Sequence, residues 1–212
     1  MSRRILLAGA MAAALFGCTP PKYIDFHPKT GDVLFQVPWG WTGYLDSTGP
    51  GYYNYTFVGP FDHQFYHGVP TLSVRWYGNN KPRSLPDGSF EFYASADDYV
   101  SQMLKDVYGP ERFLDQDVHK ISVADRQALH FVVSAPVDVP KDTPFGAVRD
   151  NSGEQTVVLR KHAYVVLPMD NGFYTLIYPA TREGYATYEP RFNHLVNTFR
   201  VLKDGPEGRS IR

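Results

Sequence analysis

The sequence predicts an α+β fold in which an antiparallel β-sheet of about six to seven strands is flanked by helices. Seven segments have the alternating or dense apolar pattern of strands, and short hairpin connections join most of them. Two segments with helical spacing stand between and after the runs of strands. Aromatic residues form 15% of the chain, with 15 Tyr and 14 Phe, which suits a sheet that packs cross-strand aromatic pairs.

The first eighteen residues have the pattern of a bacterial lipoprotein signal peptide. Arg3 and Arg4 precede an apolar run that is too short to span a bilayer, which takes about 20 helical residues. The run ends at Leu15–Cys18, which resembles the lipobox, where the cysteine becomes the new N-terminus and carries the lipid. Cys18 is the only cysteine of the chain. The alternative is an ordinary secretory signal with an incidental cysteine.

A lipid on Cys18 would anchor the protein to the cell envelope. Thr19 stands where an aspartate would resemble an inner-membrane retention signal, so we expect the outer membrane, with the domain facing the periplasm. Two of the 21 basic residues lie in the signal peptide, which leaves 19 against 22 acidic residues. This balance argues against a nucleic-acid partner. With Cys18 acylated, the domain would hold together without disulfides.

A single domain is predicted over 32–202, between a proline-containing tether (19–31) and a polar tail (203–212) that we expect to be disordered. The loops 79–94 and 136–155 separate its elements, and the longer of them is expected to be functional or mobile. The predicted strands are Val33–Val37, Tyr53–Val58, Thr71–Tyr77, Asp117–Val123, Gln127–Ala135, Thr156–Leu167 and Phe173–Tyr178.

Local signals justify these strands. Pro38 ends the first strand because it cannot donate to a ladder. Alternation predicts that Tyr53–Val58 is half-buried. Ala124–Arg126 and Asp170–Gly172 are predicted hairpin turns, the second because Asn and Gly both accept positive φ.

Two helices are predicted. Ser95 caps the first, and acidic residues follow it in the first turn. Thr187 caps the second, which runs to about Arg200, with Pro190 in its first turn. Their apolar faces are Tyr99, Met103, Leu104 and Val107 in the first helix and Phe192, Leu195, Val196 and Phe199 in the second.

Two motifs resemble the PsbP-like domain family. The first is Phe35–Pro38 followed, after one residue, by Gly40 and Trp41, and the second is the closing segment Phe192–Phe199. The resemblance covers 32–202. It implies a central antiparallel sheet between helices, an α/β/α sandwich, and no shared catalytic residues. Characterised members are binding or assembly factors, among them a photosystem II extrinsic subunit and a Ran-binding nuclear import factor.

Few residues indicate chemistry. Asp62, His63 and His67 lie within six residues and could share a metal ion, although loop histidines without metal are common. Trp39 could contact a ligand or partner, whereas Trp41 is expected to cap the core. The chain has no Gly-x-Ser-x-Gly elbow and no phosphate loop, so we expect neither catalytic residues nor a cofactor.

The sequence thus predicts a non-catalytic, lipid-anchored periplasmic module that binds or assembles an envelope protein. The first alternative is a lipoprotein that binds a small ligand or metal through the His63/His67 loop. The second alternative is an envelope hydrolase with an unrecognised site.

Overall fold

The computed structural model describes residues 20–65, 68–85, 88–139 and 156–206. The strands are β1 (Tyr23–Phe26), β2 (Val33–Pro38), β3 (Thr42–Gly49), β4 (Tyr52–Val58), β5 (Thr71–Gly78), β6 (Arg83–Ser84), β7 (Phe90–Glu91), β8 (Phe113–Val123), β9 (Arg126–Val139), β10 (Thr156–Pro168), β11 (Gly172–Thr181) and β12 (Arg200–Val201). The helices are α1 (Ala96–Gln102), which continues into a π-helical turn (Met103–Val107), and α2 (Tyr185–Thr198).

The main sheet has seven strands in the order β3-β4-β5-β11-β10-β9-β8, and every neighbouring pair is antiparallel. This confirms the predicted fold class. Strand β11 lies in the middle of the sheet and is buried along almost its whole length. Strands β6 and β7 form a separate two-stranded hairpin.

The main sheet has a hydrophobic core on each face. On one face, helix α2 and the small sheet β1-β2-β12 pack through Phe35, Phe192 and Leu195. On the other face, helix α1 packs through Tyr99 and Val100. The molecule is therefore a three-layer sandwich.

Burial on both faces changes the prediction for β4. Its residues from Tyr52 to Phe57 are all buried, whereas the alternating pattern predicted a half-buried strand. Tyr53 and Phe57 point into the α2-side core, and Tyr52 points into the α1-side core. The alternation of this strand separates two different interiors rather than core from solvent.

Asp32 is a fully buried carboxylate at the start of β2. Its Oδ2 atom accepts hydrogen bonds from the hydroxyls of Tyr53 (2.7 Å) and Tyr174 (2.8 Å), and Thr30 Oγ1 donates to Oδ1. The Asp32 carbonyl accepts from the backbone N–H groups of Leu202 (2.7 Å) and Lys203 (3.2 Å). This residue joins the small sheet, the main sheet and the C-terminal segment.

Five of the twelve described strands were not predicted: β1, β3, the short β12, and the β6–β7 hairpin, which lies inside the predicted 79–94 loop. Strand β1 lies inside the predicted tether and pairs with β2 from Tyr23↔Pro38 to Phe26↔Phe35, which leaves a shorter stretch before the domain. Strand β3 is an edge strand rich in Gly and polar residues, so it lacks an apolar period. Its pairing with β4 carries a bulge between Leu45 and Ser47.

Other predicted boundaries also moved. Strand β9 continues through Pro136 to Val139, so the predicted 136–155 loop begins later, and residues 140–155 lie outside the described part. The predicted tail starts with residues that pack on the domain: the Asp204 carboxylate accepts from the backbone N–H of Asp170 (3.2 Å). Residues 207–212 are outside the described part.

The helices follow the predictions in part. Ser95 does cap α1, since its Oγ accepts from the N–H of Asp98 (3.2 Å). Val107 was predicted to be buried but is 49% exposed, because the π-helical turn shifts the spacing and Tyr108 is buried instead.

Helix α2 begins at Tyr185 after Gly184, without a side-chain cap, so the predicted cap Thr187 lies inside the helix. Pro190 therefore falls beyond the first turn. Phe192 and Leu195 are buried as predicted.

The two predicted hairpins both form, but only one uses left-handed backbone. Ala124 (φ 49°) and Asp125 (φ 59°) form the β8–β9 turn. Gly172 does not have the positive φ that was predicted. A Cβ at this position would lie 2.1 Å from the carbonyl oxygen of Tyr77, so close packing of β11 on β5 requires the glycine.

No helix within the described ranges is long and apolar enough to span a membrane.

We expect Asp32→Ala to lower the free energy of unfolding by about 3 kcal/mol, because two buried tyrosine hydroxyls lose a charged acceptor. Equilibrium urea denaturation measures this change. The matched control is Asp25→Ala, at an exposed position, with an expected change within about 0.5 kcal/mol. Adding Tyr53→Phe to Asp32→Ala should recover part of the loss. An Asp32→Ala variant as stable as the control would contradict this role.

Candidate functional site

The predicted contact residue Trp39 lies in the turn after β2, and 54% of its surface is exposed. Trp41 is half-buried and packs edge-on against Tyr188 of α2, with ring centroids 5.9 Å apart. The expected structural role of Trp41 therefore agrees with its contacts. Whether Trp39 contacts a ligand or partner remains a prediction.

The predicted metal ligands are in the loop between β4 and β5. The His63 side chain is 83% exposed, and its Nδ1 atom is 3.9 Å from Asp62 Oδ1. That same oxygen accepts from the backbone N–H of Gln64 (2.9 Å), which stabilises the loop. His67 and Cys18 lie outside the described residues. Within the described ranges no group of three His, Cys, Asp or Glu side chains could hold a metal ion. The metal hypothesis depends on His67 and remains a prediction.

A cleft of about 250 Å³ lies beside this loop, where strand β5 begins and strand β11 ends. Arg160, His162 and Thr71 supply its polar groups. Its volume is below the roughly 300–1,000 Å³ of pockets for drug-sized ligands, so it suits a smaller molecule. The apolar side chains that line it are Phe65, Val69, Val137, Pro179 and Ala180. Neither Trp39 nor His63 lines this cleft.

His162, which is half-buried at the cleft, ends a chain of hydrogen bonds that starts in the interior. Its Nδ1 atom is 2.6 Å from the hydroxyl of Tyr108, which is 2.6 Å from the hydroxyl of Tyr164. Burial, with smaller effects from the charges of Arg160 and Arg75, lowers the pKa of His162 to about 3. Burial also raises the pKa of Tyr164. Near neutral pH the histidine is therefore uncharged, and its Nδ1 atom and the Tyr108 hydroxyl share one hydrogen bond.

Arg160 brings a positive charge to the cleft. Its Nη2 atom donates to the carbonyl of Val107 (3.3 Å), and its guanidinium lies 4.9 Å from the ring centre of Tyr108. Its Nε atom is buried without a hydrogen-bond partner among the described residues. The same holds for Nε of Arg75. Neither arginine forms an ion pair with a described carboxylate.

The chemistry of this cleft favours binding over catalysis. A general acid or base works best with a pKa near the working pH, and His162 is far below that range. Arg160 can instead attract an anion, next to apolar walls.

Sequence reasoning missed this cleft. Arg160, Lys161 and His162 interrupt an otherwise apolar strand, and that interruption was the available signal. The side chains of Arg160 and His162 point to one face of the sheet, and Lys161 points to the other. Tyr108 could not be found, because it lies 54 positions before His162 and its burial depends on the π-helical turn.

We expect His162 to make stability depend on pH. Its folded pKa of about 3 is below the ordinary 6.5. The stabilisation is therefore complete above pH 6.5 and is lost as the pH falls towards 3, because the unfolded chain binds the proton first. Between pH 7 and pH 5 the wild type should lose about 2 kcal/mol more than His162→Gln in urea denaturation. The control His63→Gln, on an exposed side chain, should lose as much as the wild type. An identical loss in all three proteins would show that His162 is not responsible.

No protein-family model matches the sequence, and a search of curated proteins gives no significant match. Solved structures do resemble it. The solution structure of PsbP (CyanoP) from Synechocystis sp. PCC 6803 has a TM-score of 0.51 and 16% identity, and the match covers 87% of this chain and 95% of that chain. Mog1p, a Ran-binding protein of Saccharomyces cerevisiae, has a TM-score of 0.45 and 10% identity over 84% of this chain and 95% of that one. LpqN of Mycobacterium tuberculosis, described as involved in cell envelope biogenesis, has a TM-score of 0.40 and 14% identity over 84% and 90%. The CyanoP match confirms the resemblance predicted from the two end motifs, and this chain has the PsbP-like fold.

Proposed function

We propose that this protein is a non-catalytic binding module that a lipid on Cys18 anchors to the bacterial cell envelope. The lipobox pattern of Leu15–Cys18 supports the anchor. The domain would face the periplasm from the outer membrane and dock on an envelope protein, without cofactor or nucleic acid. The PsbP-like fold is compatible with this role, because function depends on the site rather than on the fold.

The protonation state of the side chains at the cleft is the observation that supports a non-catalytic function. Tyr164, Tyr108 and His162 bond to one another, and the low pKa of His162 keeps it neutral near pH 7. Such groups hold a shape and do not shuttle protons near neutral pH. The second alternative, a hydrolase, has no support from these residues.

Docking would use the loops or the sheet edges. Edge strand β3 exposes Tyr44 and Leu45 next to its bulge, and edge strand β8 exposes Phe113 and Val118. The β8–β9 register shifts twice between Leu114 and His119, which interrupts a continuous edge. Because bulges of this kind discourage edge-to-edge pairing, side-chain contacts are the better route for a partner than an added strand.

The anchor is tested by Cys18→Ser in a Gram-negative host that processes lipoproteins. The wild type should incorporate radiolabelled palmitate and sediment with membranes, whereas the variant should do neither, because the thiol that carries the lipid is missing. Washing with high salt controls for loosely adsorbed protein. Equal labelling of the two proteins would contradict the lipid anchor and, with it, the proposed envelope location.

The cleft favours a second function, the binding of a small anion that carries an apolar group. Arg160 would bind the anionic group, while the apolar walls would cover the rest. This is a version of the small-ligand alternative, located at Arg160 and His162 rather than at His63.

Arg160→Gln should weaken binding of 1-anilinonaphthalene-8-sulfonate about tenfold, since a hydrogen bond to a charged group contributes roughly 1.5 kcal/mol. Fluorescence titration of the probe measures this. The matched control is Lys161→Gln, because Lys161 lies on the opposite face and pairs with Asp115 at 3.4 Å. Equal affinity of the two variants for the probe would contradict binding in the cleft. Failure of octanoate to displace the probe would contradict it as well.

A further inference from the structure

The exposure of Trp39 is unusual among the three tryptophans of the chain. Trp39 is 54% exposed, whereas Trp76 is 3% exposed and Trp41 packs against Tyr188. A tryptophan combines a large apolar ring with an N–H donor, so it suits a boundary that is apolar on one side and wet on the other. A bilayer surface is such a boundary.

The position of Trp39 links it to the N-terminus. Its backbone N–H donates to the carbonyl of Lys22 (3.0 Å), and the adjacent residues pair as Tyr23↔Pro38. Trp39 thus lies beside the point where the chain leaves the domain towards Cys18. The pairing of β1 with β2 creates this arrangement, which a long tether would have prevented.

The distance to the anchor is short. Lys22 is four positions after Cys18 in the chain. Even a fully extended chain spans at most about 3.6 Å per residue, or roughly 14 Å over these four steps. Each interfacial layer of a bilayer is about 5–8 Å thick. A lipid on Cys18 therefore keeps Lys22, and the Trp39 bonded to it, close to the membrane surface.

A second exposed aromatic residue lies at the same end of the molecule. The turn around Trp41 packs against the loop after β4, since a Cβ on Gly59 would lie 2.7 Å from the Trp41 ring. That loop exposes Phe61, with 66% of its surface accessible. Lys22 is also exposed and adds a positive charge, which attracts anionic headgroups.

We propose that Trp39, together with Lys22, contacts the surface of the bilayer that holds the lipid of Cys18, and so fixes which end of the domain faces the membrane. This inference rests on the lipid anchor of the proposed function. Several acyl chains on Cys18 would hold the protein at the surface, and the Trp39 contact sets its orientation. The tryptophan ring lies among the headgroups rather than crossing into the hydrocarbon core.

The test is tryptophan quenching in vesicles with the full, lipidated protein. The protein is reconstituted into phosphatidylcholine and phosphatidylglycerol vesicles made with or without brominated chains. Emission of the wild type should fall with brominated lipid, by no more than the share of one tryptophan among three. Trp39→Phe should lose this quenching, while the matched control Trp41→Phe should keep it. Circular dichroism checks that both variants fold.

Flotation of the vesicles separates the two proposals. A wild-type protein that does not float has no working anchor, which overturns the proposed function and the orientation with it. A protein that floats with equal emission in both kinds of vesicle keeps the anchor but overturns the contact of Trp39. Quenching that persists in Trp39→Phe also overturns it.

Discussion

The buried carboxylate of Asp32 is the interaction on which the three layers depend. Its oxygen atoms accept from Tyr53 in β4 and Tyr174 in β11, and its backbone carbonyl accepts from Leu202 and Lys203 after β12. A charge in the interior is stable only when hydrogen bonds replace its lost hydration. Asp32 therefore requires the small sheet, the main sheet and the C-terminal segment to be in place together, and it couples the two ends of the chain to the centre of the fold.

This coupling fixes the position of β1 and of the turn that contains Trp39. Strand β2 is held at Asp32, and β1 adds to its outer edge, so the chain emerges beside Trp39 in one defined place. Under the proposed lipid anchor, this one strand pairing would also set the orientation of the domain, because few residues remain before Cys18. Both faces of the main sheet contain hydrogen-bonded tyrosines, but the charged partners differ: Tyr53 and Tyr174 bond to the Asp32 carboxylate on the α2 face, whereas Arg75 and His162 lie on the α1 face.

The polar groups of the α1 face account for the absence of acid–base chemistry in the proposal. Their mutual hydrogen bonds and the low pKa of His162 fix one protonation state. Positive charge on Arg75 and Arg160 keeps that state, because it opposes protonation of the neighbouring imidazole. The guanidinium of Arg160 remains available at the cleft. A site built in this way suits the proposed binding of a charged ligand better than acid–base catalysis.

Local pattern was sufficient for much of the fold. Alternation located β2, β4, β5 and β8–β11. The cap at Ser95 indicated the first helix, and the motif around Trp41 indicated the family resemblance. These signals can be read from the sequence because they depend on neighbouring residues. Strands β1 and β3 could not be found, since short or polar edge strands lack a hydrophobic period. The sequence also did not predict the close packing at Gly172, the hydrogen bonds of Asp32 or the cleft. By itself the sequence determined the fold class and the positions of most strands of the main sheet and of the two helices, while the lipid on Cys18 stays a prediction. Only the tertiary structure decided that Tyr108 meets His162, that Asp32 joins distant strands and that Trp39 lies next to Lys22. Those contacts join residues far apart in the chain, and no local period records them.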